Sequence, residues 1–189
     1  MASARRHRGR RPGLIPVYSV RIERTTRARA RDPKDPSEGR PKRTKGERVP
    51  IYRVVLRKER TIRVAETHAH NAASAANIAH AIIGDSPYEK MLVLLVNMAG
   101  RVVGAVVIAT SSSVSSSAVH IRGVFSAAIA HNASAVILAH NHPSGRTDPS
   151  EEDQRFANVA ERASSIMNIP ILDHLIVTPN PSQWSSFKA

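Results

Sequence analysis

Ser134-Ala135-Val136-Ile137-Leu138-Ala139-His140-Asn141-His142-Pro143-Ser144-Gly145 runs from a short apolar segment straight into two histidines. Ala135 to Ala139 has the length and composition of a buried strand, and side chains on a strand alternate faces. His140 and His142, at i and i+2, therefore project to one side and can reach one ion. On spacing alone a hydrogen-bonded pair at a strand end fits them as well, and His68-Ala69-His70 repeats the pattern. The residues downstream of each pair tell the two apart. Ten residues lie between His142 and Asp153, a carboxylate expected in the first turn of a helix, whereas the same offset from His70 lands on Ala81. His68 and His70 thus read as solvated residues ahead of a helix. Pro143, Ser144 and Gly145 predict a tight turn. Ser150, with Asp153 three residues on, is an acidic form of the capping box and starts a helix expected to reach about Met167. Two imidazoles and one carboxylate leave the fourth position of a tetrahedral site open, as a catalytic zinc requires.

Outward from this stretch, the patterning predicts alternating strands and helices. Ile51 to Leu56 reads as an edge strand with interleaved charges. Ala69 to Ile83 carries Ala, Ile and His at helical spacing and is closed by Gly84-Asp85-Ser86-Pro87. Met91 to Val96 and Arg101 to Ala109, joined by a turn at Asn97 to Gly100, form a buried hairpin. Thr110 to Ser117 is a serine-rich connector or weak strand. A helix over Phe125 to His131 precedes the histidine-bearing strand, and strands at Ile169 to Val177 and Trp184 to Phe187 close the chain. This order describes an α/β or α+β domain on a mixed sheet. It spans residues 48–189, and residues 1–47, rich in Arg, Pro, Gly and Lys, are expected to be mostly disordered, with a short strand at Ile15 to Ile22.

Apolar residues make up 41% of the chain and aromatics only 4%, so the core must be aliphatic. Without cysteine, no disulfide or thiolate site is possible, and a transition metal must rest on His, Asp and Glu. The longest apolar run, Met91 to Val96, is too short to cross a bilayer, and the N-terminal arginines lack an apolar region behind them. A cytoplasmic protein is the expectation; an organellar transit peptide is disfavoured by Pro12 and Pro16. Residues 1–60 hold 20 Lys and Arg against 6 Asp and Glu, while residues 61–189 hold 8 against 9, so the whole excess of +13 is N-terminal. Such a segment either binds nucleic acid non-specifically through phosphates or is a solvated tail. Two tyrosines, Tyr18 and Tyr52, are too few for a base-stacking platform.

His140-Asn141-His142-Pro143-Ser144-Gly145, then Pro149-Ser150 and Asp153, closely resembles the H-x-H-x10-D core of the JAB/MPN (JAMM) zinc metalloproteases in their RadC-like bacterial branch. Ser134 to Ala139, Leu172-Asp173-His174 and Ser186-Phe187 resemble the flanking strands of that branch, and the likeness covers roughly Val49 to the C-terminus. The resemblance implies a mixed sheet flanked by helices and a Zn2+ ion on His140, His142 and Asp153. It implies Glu89, ahead of the strand at Met91, as general base and acid, and Ser150 as a hydrogen-bond donor to the developing oxyanion. The activity implied is a metallopeptidase or isopeptidase acting on a protein or peptide. The alternative is a DNA-associated accessory protein, in keeping with the branch's customary link to DNA repair, that uses the fold as a scaffold and the basic segment to bind. The chain departs from the branch in three places. Ile121-Arg122-Gly123-Val124-Phe125 stands where Pro-Arg-Glu-Val-Phe is usual, removing an acid expected at a helix start. A glycine usual near Ser112 is missing. The basic segment stands where a helix-hairpin-helix region is often found. Asp173 and His174 point to opposite faces of their strand, so supporting or core roles are expected for them.

Overall fold

Every residue of Met91–Val96 is apolar, so strand alternation feeds two separate cores. Leu92, Leu94 and Val96 enter one buried cluster, and Val93 and Leu95 the other. A strand buried on both faces needs layers on both sides, and the computed structural model has them. It describes residues 13–24, 52–108 and 117–187.

The elements are β1 (Gly13–Arg24), β2 (Tyr52–Val64), α1 (Ala72–Ala79) continued by a π-helical turn (His80–Gly84), β3 (Met91–Val96), β4 (Val102–Ile108), α2 (Ser117–Ala130), β5 (Ala135–Asn141), α3 (Glu151–Met167), β6 (Ile171–Val177) and β7 (Trp184–Phe187). One seven-stranded sheet holds the order β2-β1-β4-β3-β5-β6-β7. The β1/β4 and β5/β6 pairs are parallel and the rest antiparallel, so the sheet is mixed as expected. Ala75, Ile78 and Ala79 of α1 cover the face carrying Leu94, Ile137 and Leu175. Val124, Ala127 and Ala128 of α2, with Phe156 and Ala160 of α3, cover the face carrying Leu95, Val136 and Leu138. Leu94 is wholly buried at the centre of the first layer. Leu94→Ala should cost about 2–5 kcal/mol, read as a fall in the denaturant midpoint; a loss below about 1 kcal/mol would move the core elsewhere.

Several element boundaries differ from the patterning. The strand expected at Ile51 to Leu56 continues through Arg57-Lys58-Glu59-Arg60 to Val64, because at a sheet edge those charges stay in water while the backbone pairs with β1. The strand expected at Ile15 to Ile22 spans Gly13–Arg24 and lies inside the sheet, between β2 and β4. These 12 residues therefore share the domain's sheet, although they fall in the segment expected to be mostly disordered. The rest of that segment lies outside the described residues, as does most of the serine-rich connector. The second helix starts at Ser117 rather than Phe125, which puts Gly123 in its middle and not at its start. A Cβ there would approach Cδ1 of Ile108 to 3.1 Å, so the glycine lets α2 sit close on β4 at a position where a helix-interior glycine otherwise costs about 1 kcal/mol. The first helix begins only after its N-cap Asn71 and ends in the π turn. Among the described residues, no helix is long and apolar enough to cross a membrane.

Candidate metal centre

Burial along β5 is complete from Ala135 to Asn141, and alternation divides it: Ile137 and Ala139 face α1, while Val136, Leu138 and His140 face α2 and α3. His142 continues the pairing, its N–H donating to the Val177 carbonyl at 2.9 Å, so both histidines leave the strand on the α3 side. Gly145, at φ +81°, then reverses the chain in a turn closed by its N–H on the His142 carbonyl. α3 opens at Ser150 with the capping box read from the sequence: Oγ of Ser150 accepts from the Asp153 N–H at 3.1 Å, and the Asp153 carboxylate accepts from the Ser150 N–H at 2.8 Å. That cap turns Asp153 toward the strand end.

There the three side chains meet. Nε2 of His140 lies 2.9 Å from Nε2 of His142 and 3.1 Å from Oδ1 of Asp153, and Nε2 of His142 lies 3.6 Å from Oδ2. Four-coordinate zinc with bonds near 2.0–2.1 Å separates its ligand atoms by about 3.3 Å. The distance between the two histidines and their approach to the carboxylate lie near that value, and one ligand atom from each residue lies within 4.8 Å of the others, so the donor set fits. Nδ1 of His142 donates to the Arg146 carbonyl at 3.0 Å, so the neutral ring presents an unprotonated Nε2 to a metal. Among the described residues this is the one group of three such side chains whose ligand atoms converge. His68 and His70 are elsewhere, their rings stacked 5.2 Å apart, with His68 bridged to Arg101.

Glu89 enters the same place through the sheet. Met91 pairs with His140, so the residues just ahead of β3 run beside the end of β5. Glu89 lines a cleft of about 320 Å³ together with His142, Ser144, Arg146, Ser150 and Asp153. Its charge acts on His142. Ser150 also faces the cleft, and its hydroxyl donates to Oδ2 of Asp153 at 2.6 Å. Asp173 accepts from Ser186 at 2.7 Å and so ties β6 to β7, while the His174 ring packs between Phe156 and Phe187. Neither belongs to the converging group. Phe187 also meets the His140 ring edge-on, a contact no local spacing announces.

Burial and mutual contact set the ionisation of the group. Burial pushes the Asp153 carboxyl upward, but hydrogen bonds from His140, His142 and Ser150 outweigh it and hold it well below the ordinary carboxylate range. His142 is raised, first by its bond to Asp153, against the opposing effect of burial. The raised His142 contributes stability below the ordinary histidine value of about 6.5 and loses it as pH climbs through the higher folded value. The depressed Asp153 contributes above the ordinary carboxylate value of about 4 and loses its share only in strong acid. In EDTA, the melting temperature should therefore be highest between about pH 4 and 6.5 and fall above that window. Zinc should raise it increasingly over the same rise in pH, because ligation needs unprotonated imidazole. Melting curves that climb above pH 6.5 in EDTA would contradict this coupling.

A family model of the RadC-like JAB domain matches residues 69–189, well over half of the chain. The chain belongs to the RadC-like JAB domain family. Relatives of this RadC-like chain include UPF0758 proteins of Chlorobium phaeovibrioides (37% identical over 106 residues, 56% of this chain and 46% of the relative) and Rubrobacter xylanophilus (45% over 89 residues, 47% and 39%). A third, from Salinibacter ruber, is 39% identical over 105 residues, covering 56% of this chain and 45% of its own. The RadC-like chain thus spans less than half the length of these curated relatives. Its matched region contains α1, the cleft, the three converging side chains and Glu89, and starts after β1 and β2.

Asn141 was not singled out by its sequence context, yet it is wholly buried between the two histidines and bonded to the loop that carries Glu89. The signal was available: an amide in a buried strand must find partners for its donors and acceptor.

Proposed function

We propose that this chain is a zinc-dependent hydrolase of the metallopeptidase or isopeptidase type, acting on an amide bond of a protein or peptide. The observation that carries this reading is the convergence of His140, His142 and Asp153, the last two of which line one cleft with Glu89. These three would hold the ion, since two imidazoles and a carboxylate in a cysteine-free chain suit zinc. Bound there, Zn2+ supplies Lewis acidity that polarises a carbonyl and acidifies water. The Glu89 carboxylate takes the proton from the attacking water and returns it to the leaving amine. Ser150 caps α3 and gives its one hydroxyl proton to Asp153; turned from that carboxylate, the hydroxyl would donate to the substrate carbonyl oxygen as that atom gains charge. The Arg146 carbonyl keeps the His142 ring in one tautomer and orientation.

Nucleic-acid contact through the basic N-terminal segment, a link to DNA repair and residence in the cytoplasm stand beside this reading as expectations from composition and resemblance. Of that segment only Gly13–Arg24 is described, and there Arg21 is paired with Glu59.

Metal analysis joined to a peptide-library cleavage assay tests the proposal. The purified protein should hold about one zinc per chain and cleave a subset of the library. A well-folded protein that takes up no zinc overturns the reading.

A further inference from the structure

His140 and His142 point to the α3 side of β5, and alternation sends Asn141 to the opposite face. Its side chain is wholly buried, and a buried primary amide needs partners for two N–H donors and a carbonyl acceptor. All of them lie on the loop ahead of β3. Nδ2 donates to the carbonyls of Ser86 and Tyr88, each at 3.1 Å, and Oδ1 accepts from the Lys90 N–H at 2.8 Å. The ladder between β3 and β5 ends where Met91 faces His140. One residue further along β5, the Asn141 amide takes over the binding that the two backbones have ceased to provide.

The identity of those partners matters. The Tyr88 carbonyl and the Lys90 N–H belong to the two peptide groups that flank Glu89. One side chain therefore holds the backbone on both sides of Glu89, and the same strand, one residue to either side, delivers His140 and His142. We infer that Asn141 is the positioning residue for Glu89, tying the general base to the strand that carries two of the metal ligands. The inference rests on the hydrolase reading of the cleft. Asparagine suits the position because the clamp needs donors and an acceptor on one short side chain. Aspartate keeps an acceptor for Lys90 but offers no donor and sets a charge against two carbonyls. Alanine removes every bond and opens room for water.

The test uses the full, zinc-loaded chain with Asn141→Ala and Asn141→Asp, each also combined with Glu89→Gln. Zinc content should stay near one per chain in both single variants. In Asn141→Ala the Lys90 amide should exchange at least about tenfold faster by NMR, with α3 amides unchanged. On a peptide selected from the library, kcat should fall about 100-fold in both variants with KM within about threefold, because small misplacements of a catalytic group cost on that order. In the Glu89→Gln background the same substitutions should change the residual rate less than about threefold, since the clamp acts through Glu89. Unchanged Lys90 exchange, or equal losses in both backgrounds, overturns the inference. Should Asn141→Ala fail to fold, the Asn141→Asp cycle decides it. A wild-type chain without zinc or cleavage defeats the hydrolase reading instead, and Lys90 exchange then decides the clamp alone.

Discussion

Glu89→Gln is expected to keep about one zinc per chain while kcat falls about 10²–10⁴-fold, the range that a positioned general base and acid supplies. Glutamine keeps the shape and hydrogen-bonding reach of the side chain and cannot carry the proton. The Glu89 charge favours a proton on His142, but it also favours a divalent ion beside that ring. Its removal therefore weakens both competitors, and zinc affinity near pH 6 should stay within about tenfold of the wild type, measured against a competing chelator. Wild-type turnover in this variant would remove Glu89 from the chemistry, and a fall in zinc content would make it part of the metal site.

Asp153→Ala should give the largest loss of metal. Partners that only orient ligands typically cost about 10–100-fold in affinity when removed, so loss of a direct ligand should exceed about 100-fold. The same carboxylate has a second task, since it accepts from the Ser150 backbone N–H and hydroxyl at the start of α3. Loss of a cap interaction and of a first-turn negative charge should together lower the stability of the metal-free chain by about 1–2 kcal/mol. Asp153→Asn separates the tasks: its amide oxygen can still accept at the helix start, so zinc and the pairing with the two histidines should be lost while the cap's share of the EDTA-state stability survives. Chelator competition and melting curves in EDTA read the two effects apart. If Asp153→Asn bound zinc as tightly as the wild type, Asp153 would not be a ligand.

The converging group was legible because its signals are local. The i, i+2 spacing on a strand and the Ser150–Asp153 cap each act within a few residues, and the turn at Gly145 joins them. Glu89 was not legible that way. Nothing near it in sequence marks it, and only the pairing of Met91 with His140 brings it to the cleft, so it came from the family resemblance. Asn141 was hidden for the same reason, with all its partners on a distant segment. Errors of extent arose where tertiary packing overrode composition. The charged run in β2 is tolerated because it lies on an edge, and Gly123 sits mid-helix because Ile108 fills the space a side chain would need. The aliphatic character of the core was legible in composition, but one core was expected, and the sheet divides it into two because an unbroken apolar strand such as β3 demands cover on both faces.

The place of β1 between β2 and β4 changes how the basic N-terminal segment can be studied. Cutting the chain at residue 47 would strip away cationic side chains, but it would also leave β2 without its strand partner and lay open the backbone of β4 beside Ala105 and Val106. An uncovered row of N–H and C=O groups next to an apolar core is a template for self-association. A truncated preparation that precipitated, or that differed from the full chain in a nucleic-acid binding assay, would then report a broken sheet rather than missing charge. Neutralising arginines outside Gly13–Arg24, one group at a time, keeps the sheet closed and lets charge alone answer.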